Sequence, residues 1–370
     1  MILRSIKTEH KDEKTGLVLK RITTSEWEHL NHKMAVNNSL FGCETKRLAC
    51  NKSMLNSPFQ VNHIFYHNKR KIWLFDGIEE SKAHATTQGR FYLPFQQRNA
   101  KQWVSLTFQE AEADFQTLAN RGLSLVPYSI PLDATLEEWK KRKEDAISIL
   151  NKGQKLVAIF CSRHDISLFE DIFYHEFENA DVIGVQCYGL NDATTLLNLM
   201  KIRLRNSLLQ TGDKAPLLVG LNYDKVLRTL SHVSGSFAYS CFGFDILSCR
   251  QMNLGNLPPE VIRKMLSKRI EEIMKYDRTL GGFNLSAEQM FWDGKNLTQE
   301  FLESVVVAEG LSPYQAIQWA NYFEQQNDFD VLNKQILETA YAGKEDTALK
   351  YIENEKEKWA VFWKTKLVPA

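Results

Sequence analysis

The sequence predicts a parallel α/β fold of the (β/α)8 TIM-like barrel type, with an α-helical C-terminal region. Three observations lead there. Short apolar runs alternate with amphipathic stretches from about residue 60 to 250, the pattern of strand, crossover helix and parallel strand. Asp76, Asp133 and Asp245 each close one of those apolar runs, and in such barrels ligands and catalytic groups gather at the carboxyl ends of strands. From Leu257 onward the apolar spacing is helical only, over 259–276, 286–292, 298–308, 312–323, 329–341 and 344–362, with Trp292, Tyr314, Trp319, Tyr322 and Phe323 forming an aromatic stripe that reads as core packing. The boundaries that follow are an N-terminal segment over 1–55, a barrel domain over 56–256 and a helical region over 257–370.

Residues 1–55 are polar and mixed, with Thr24, Glu26 and Trp27 opening a short helix. The runs 61–66 and 71–75 predict a hairpin turning through His67-Asn68-Lys69-Arg70, its second strand ending in Asp76-Gly77. Residues 106–120 have helical spacing. The run LSLVPYSI over 123–130 is a strand leading to Pro131-Leu132-Asp133, where Asp133 suits the N-cap of a charged helix over 134–151. That helix turns Leu136, Trp139, Ile147 and Leu150 inward. A strand over 156–161 precedes Ser167 and Glu170, spaced as a capping box for a helix to about Phe177. DVIGVQC over 181–187 is the next strand, followed by a helix over 191–209 in which Arg203 and Arg205 are either solvated or within reach of a phosphate. His164, just past a strand end, reads as a turn histidine with a titratable alternative.

The stretch 215–250 organises the rest. After Pro216, residues 217–221 form an apolar strand, 223–232 carry helical spacing through Val226, Leu227 and Leu230, and 236–246 read as a second strand rich in Phe, Tyr and Cys. Asp245 then lies at the carboxyl end of a buried strand. A carboxylate there is paired, protonated or functional, since an isolated buried charge is too costly to keep, and Arg250 is one available partner.

These stretches resemble the tRNA-guanine transglycosylase superfamily. The P-x-L-x-G strand of that superfamily is matched by Pro216, Leu218 and Gly220, and its G-[VI]-D-x-F-D-[CS] strand end by Gly243-Phe244-Asp245-Ile246-Leu247-Ser248-Cys249. Asp133-Ala134-Thr135 resembles the family's base-recognising aspartate with its P-A-T sequel, and Gly189-Leu190 resembles the end of its D-G-Y-A-[IV]-G-G-L strand. Asp76-Gly77 matches one Asp and one Gly of the D-S-G-G-F-Q loop. The resemblance departs where the family carries its nucleophile, because that place holds Ser248. It implies a TIM barrel and replacement of guanine in nucleic acid by a 7-deazaguanine through a covalent aspartyl-nucleotide intermediate. Such base exchange needs a nucleophilic carboxylate, a proton-moving acid and a flat slot with polar edges for a base taken out of its stack. The implied catalytic pair is Asp245 as nucleophile and Asp76 as acid/base, with Asp133, Gln186, Gly189, Leu190 and Gly220 around the base.

Six cysteines without a C-x-x-C pair read as free thiols of a reducing compartment, and no cysteine or histidine follows Cys249. The zinc site of the tRNA enzymes cannot form there, so no metal or other cofactor is expected. The chain is similar in this to the zinc-less, DpdA-type branch that modifies DNA. The implied partners are therefore nucleic acid, DNA ahead of tRNA, and a free 7-deazaguanine base of the queuine/preQ0 pathway, with a homodimer or partner protein left open. Arg250, Arg263, Lys264 and Lys268 are the candidate nucleic-acid contacts, a solvated helix face being the plainer reading of the last three. The totals do not choose, since 46 Lys and Arg against 45 Asp and Glu give a net charge of +1. Apolar runs too short to span a bilayer and an N-terminus without a signal-peptide core predict a cytoplasmic protein. The rival readings are a tRNA enzyme, a catalytically silent homologue that binds nucleic acid or a partner, and an unrelated barrel enzyme for a small phosphorylated substrate, for whose glycine-rich phosphate loop the stretch 248–256 offers only Gly255.

Overall fold

Parallel strands form where Val, Ile, Leu and Phe run without alternation, because both faces of the sheet they build are covered. The computed structural model describes residues 3–37, 57–75, 77–251, 257–268, 272–285, 291–292, 295–296, 312–342 and 346–367. The chain opens with an antiparallel sheet of β1 (Leu3–Lys11), β2 (Val18–Thr24) and β3 (Glu28–Leu30). The short helix expected from Thr24 to Trp27 is instead a turn, in which Thr24 Oγ1 accepts the backbone N–H groups of Glu26 and Trp27 at 3.1 and 3.0 Å. Threonine offers the backbone this local alternative to a helix.

β4 (Lys33–Met34) and β5 (Val36–Asn37) are two halves of one extended stretch that joins two parallel sheets. They are followed by β6 (Phe59–His67), β7 (Ile72–Leu74), α1 (Ile78–Thr87), β8 (Phe91–Gln96), α2 (Ala100–Val104), α3 (Phe108–Ala119) and β9 (Leu125–Ser129). Next come α4 (Leu136–Ser148), β10 (Lys155–Cys161), α5 (Ile166–Asn179), β11 (Val182–Gln186), α6 (Ala193–Ser207) and β12 (Leu217–Tyr223). β13 (Val226–Leu227), β14 (Val233–Ser234), α7 (Gly235–Ser240) and β15 (Ile246–Cys249) complete this part of the chain.

One sheet has six parallel strands in the order β9-β10-β11-β12-β15-β4. In the other, β5 and β8 flank β6 in parallel and β7 folds back antiparallel as the expected hairpin. β8 packs beside β9, but no sheet closes on itself among the described residues. The architecture is therefore mixed α/β around a six-stranded parallel sheet. Its first strand lies upstream of the boundary expected at residue 56.

Two expected elements in the organising stretch are corrected. Residues 223–232 are not a helix: β13 and β14 pair antiparallel through Leu227 and Val233, around a 3-10 turn at Arg228–Leu230. The strand expected over 236–246 is α7 followed by β15. Every residue of α7 is buried, so hydrophobic periodicity carries no signal that separates it from a buried strand. Caps were also shifted. Thr135, not Asp133, caps α4 in a reciprocal pair with Glu138, and Asp165, not Ser167, caps α5. Ile147 faces solvent rather than the core.

The C-terminal region is not helical only. α8 (Pro259–Leu266) ends early, and β16 (Lys275–Asp277) with β17 (Gly282–Asn284) makes a hairpin that buries Lys275. The helices expected over 312–323 and 329–341 are one, α9 (Pro313–Ala342), followed by α10 (Thr347–Glu355) and α11 (Glu357–Phe362). Trp319 and Tyr322 are buried on α9 and Tyr314 and Phe323 pack on the core, so that aromatic stripe is packing. The expected helix over 298–308 and all but the last residues of that over 286–292 lie outside the described residues. α9 seals the joining strand: Tyr322 Oη donates to Met34 O at 2.7 Å, Met34 N to Gln326 Oε1 at 2.8 Å and Asn333 Nδ2 to Asn31 O at 2.7 Å. Among the described residues no helix is long and apolar enough to cross a membrane.

Candidate functional site

At the carboxyl ends of β6, β8, β11, β12 and β15 the loops surround a cavity of about 340 Å³, within the size range of small-molecule sites. Aromatic rings of Phe65, Tyr66 and Tyr188 form part of its wall. Amides of Asn68, Asn99, Gln102 and Asn222 supply polar edges, and Arg98, Asp224 and Arg250 supply charge.

Asn222 is the residue most specifically shaped for this cavity. β12 and β15 pair with a register shift between Leu221 and Tyr223, and Asn222 sits in that irregularity at a left-handed φ of 60°. Asparagine tolerates this conformation better than most residues, and a bulge at a strand end re-aims a side chain. Its side chain lines the cavity, is 8% exposed, and leaves Oδ1 without a hydrogen-bond partner. Arg98 is the counterpart donor. Its guanidinium stands 4.8 Å from the Trp73 ring centre and pairs with Asp114 at 2.5 Å, while Nε has no partner. Asn222 Oδ1 and Arg98 Nε are thus a buried acceptor and a buried donor without partners, on two residues that line the same cavity.

Beneath the floor runs a fixed hydrogen-bond chain. Gln97 Nε2 donates to Gln251 O at 3.1 Å, which orients Oε1 toward His63 Nδ1 at 2.8 Å. His63 Nε2 lies 3.0 Å from Ser248 Oγ. Burial pushes His63 down to about 4, so the ring is neutral at pH 7. Gln97 Oε1 can only accept; Nδ1 therefore carries the proton and Nε2 accepts from the Ser248 hydroxyl. Ser248 has no exposed surface and His63 almost none, so the pair braces the floor and no substrate atom reaches the serine in this conformation.

The expected site residues divide. Gly189 and Arg250 line the cavity. Gln186, from β11, lies behind it, where Nε2 donates to Arg98 O at 2.6 Å and fixes the loop that presents Arg98. Leu190 is core. Gly220 is buried inside β12 opposite Leu247, where a Cβ would stand 2.8 Å from Leu247 Cδ2 and 3.1 Å from the Phe244 ring, so its role is packing rather than base contact. Asp133 is an exposed turn residue that neither caps α4 nor lines the cavity. Asp76 lies outside the described residues.

Asp245 is the main correction. It precedes β15 instead of ending it, with its N–H bonded to Leu218 O near the start of β12. That places it at the amino end of the sheet, roughly 10 Å along the strand from Ser248. Its carboxylate is fully buried and takes Lys20 Nζ at 2.9 Å, Asn31 Nδ2 at 2.7 Å and Leu218 N at 2.8 Å. With both oxygens engaged on the far side of the sheet, this group pins β2 to β15 and is no nucleophile for the cavity.

Other candidates resolve into structure. His164 Nε2 lies 2.9 Å from Pro131 O and joins the turns after β9 and β10, with burial lowering its pKa. Arg203 donates to Cys241 O and Thr15 O, and Arg205 pairs with Glu178. Arg263, Lys264 and Lys268 are exposed on and just after α8. Cys161, Cys187 and Cys241 are buried free thiols, while Cys43 and Cys50 lie outside the described residues. Among the described residues no group of three or more His, Cys, Asp or Glu is placed to hold a metal ion. Neither the protein-family models nor the curated proteins contain a match to this chain.

Sequence reasoning passed over Asn222, Asp224, Gln97, Arg98 and His63. A signal was present for four of them. Asn222 and Asp224 follow the apolar run of β12 and Gln97-Arg98 that of β8, where polar residues at a strand's carboxyl end face the ligand side. His63 sits inside an otherwise buried strand and gave none.

Proposed function

We propose that the strand-end cavity holds a guanine-type nucleobase of a nucleic acid, DNA ahead of tRNA, on a transglycosylase-like (β/α)8 barrel that does not exchange the base through Asp245. The barrel reading is supported by eight parallel strands in sequence around two sheets: β9, β10, β11, β12, β15, the joined β4 and β5, β6 and β8. The observation that carries the functional reading is that Asn222 Oδ1 and Arg98 Nε, buried and unpartnered, belong to residues lining the same cavity as Tyr66 and Tyr188. A purine offers a flat face to the aromatic rings, and donor and acceptor edges to the open groups. Ser248 stands where the resemblance places the nucleophile and is buried against neutral His63. This favours binding over exchange. Arg250 at the rim, and the exposed Arg263, Lys264 and Lys268, supply charge suited to a phosphate backbone.

The experiment measures binding of guanine, a 7-deazaguanine, guanine-containing single-stranded DNA and tRNA, beside incorporation of labelled guanine into each nucleic acid. Binding of the free bases and of DNA, weakened at least tenfold in Asn222→Ala and without incorporation, is the expected result. Absence of binding to every probe overturns the proposal. Incorporation that survives Asp245→Asn and disappears in Asp224→Asn overturns its non-exchanging part and makes Asp224 the working carboxylate. That second reading is favoured by one observation, that Asp224 is a half-buried acid on the cavity wall, 4.0 Å from Arg250.

A further inference from the structure

The chain holds two runs of three or more consecutive cations, Lys69-Arg70-Lys71 and Lys140-Lys141-Arg142-Lys143. On α4 the second run is largely neutralised, since Lys140 pairs with Glu137, Arg142 with Glu112 and Lys143 with buried Glu176. That is the ordinary state of a solvated helix face. The first run differs. Lys69, Arg70 and Lys71 are exposed at the tip of the β6–β7 hairpin, and none of them forms an ion pair among the described residues. Residues 59–75 contain no acid at all. The tip has a fixed shape: His67 O accepts the Lys71 N–H at 2.8 Å and His67 Nδ1 accepts the Arg70 N–H at 3.1 Å. Lys71 takes a left-handed φ of 53°, where glycine or asparagine is usual, so the turn itself does not call for a lysine there.

This hairpin stands at the strand-end cavity. β6 pairs with β8 only as far as Ile64 and Gln96, and residues 65–67 pair with β7 alone. Phe65, Tyr66 and Asn68 line the cavity, and the three cations follow directly on Asn68. Tyr66 meets Trp73 edge-on at 5.3 Å, two half-buried rings at the foot of the basic tip. Exposed Lys101 lies between the lining residues Ala100 and Gln102, and the lining residue Arg250 is exposed too. We propose that the β6–β7 hairpin is a grip for single-stranded nucleic acid, its tip neutralising the phosphates that flank a nucleotide whose base occupies the cavity. Cations beside aromatic rings are the combination that holds unpaired strands, the charge following the backbone and the rings meeting bases. A duplex keeps its bases stacked and paired, so a base reaches this cavity only from a single strand or after flipping out. The inference rests on the cavity reading for the kind of ligand, and adds where the backbone of that ligand runs.

The probe is a single-stranded DNA of about 12 nucleotides with one central guanine, bound to the full chain and followed by fluorescence anisotropy between about 50 and 200 mM salt. Lys69→Gln, Arg70→Gln and Lys71→Asn together discharge the tip, asparagine tolerating the left-handed backbone. Because these side chains are exposed and unpaired, the unfolding midpoint should not move. Each phosphate contact contributes about 0.7 to the slope of log K against log salt on a single strand, so losing three lowers the slope by about 2. At the low-salt end the triple variant should bind the strand about tenfold or more weakly, with its affinity for free guanine unchanged. A control that removes the same charge elsewhere, by Lys14→Gln, Lys141→Gln and Lys152→Gln on the β1–β2 turn, on α4 and before β10, should keep both affinity and slope. An unchanged slope in the hairpin variant overturns the inference. So does an equal loss in the control, or polyglutamate of the same length bound as tightly as the DNA. Strand binding that needs the hairpin, in a chain that binds no free guanine, keeps the grip and overturns the cavity reading. Guanine binding without strand binding does the reverse, and a chain that binds neither overturns both.

Discussion

Replacing Asp245 by alanine separates a structural from a catalytic carboxylate. The side chain is fully buried, and so is Lys20, whose ammonium lies 2.9 Å away. Removal leaves that cation without its counter-charge and leaves the Leu218 N–H and one of the two Asn31 amide N–H groups, the other being bonded to Val18 O, without an acceptor. Breaking a buried pair from one side costs about 3–5 kcal/mol, and each orphaned donor adds about 1–3 kcal/mol before relaxation. A loss of 4 kcal/mol or more is a large part of a total stability of about 5–15 kcal/mol, so Asp245→Ala should be strongly destabilised. Urea unfolding followed by circular dichroism reads this directly. Lys20→Met with Asp245→Leu removes the charge at both ends and should regain most of the electrostatic loss, though the Leu218 and Asn31 donors still lack partners. An Asp245→Ala protein within 1 kcal/mol of the parent, with nucleobase binding or exchange abolished, would refute the structural assignment and return Asp245 to the chemistry.

Three further outcomes follow from particular contacts. Burial lowers both His32 and His63 from 6.5 to about 4. Between those values the unfolded chain binds more protons, so the stability they contribute is complete above pH 6.5 and is lost as pH falls toward 4. From pH 7.5 to 5.5 the pair should cost about 3 kcal/mol, and coincident urea midpoints at the two pH values would refute it. Gly220→Ala puts its Cβ against Leu247 and Phe244 and should cost about 1–3 kcal/mol by overpacking, measured as a shift in unfolding midpoint with cavity binding kept in the folded fraction. Gly235→Ala places a Cβ 1.9 Å from the Asp224 carbonyl oxygen, so the loop carrying Asp224 must move. Its expected effect is weaker nucleobase binding, and unchanged affinity in a folded variant would show that the position of Asp224 does not matter to the ligand.

The contrast between Asp245 and Asn222 shows what the sequence made legible and what it hid. Alternation of apolar runs and amphipathic helices located β6, β9, β10, β11 and β12 within a few residues, because those strands are long and their flanks polar. It misplaced β15, because α7 is buried on every side and a helix without a wet face has no period to read. That error of element type moved Asp245 from the amino end of a strand to its carboxyl end, and with it the inferred chemistry. Its ion-pair partner Lys20 is 225 residues away in a segment with no legible pattern, and no local rule couples residues so far apart. Asn222 was hidden differently. Its identity is ordinary for a loop, and its significance lies in a φ of 60° and a register shift, both fixed by pairing between β12 and β15. Polar residues after a parallel strand thus mark where a site lies, while only the paired backbone decides which of them turns inward. On that ground the cavity assignment is best challenged at Asn222: Asn222→Gly keeps the left-handed backbone and removes the open acceptor. A drop in affinity with unchanged stability would attribute the effect to Oδ1 itself, and unchanged affinity would take Asn222 out of the site.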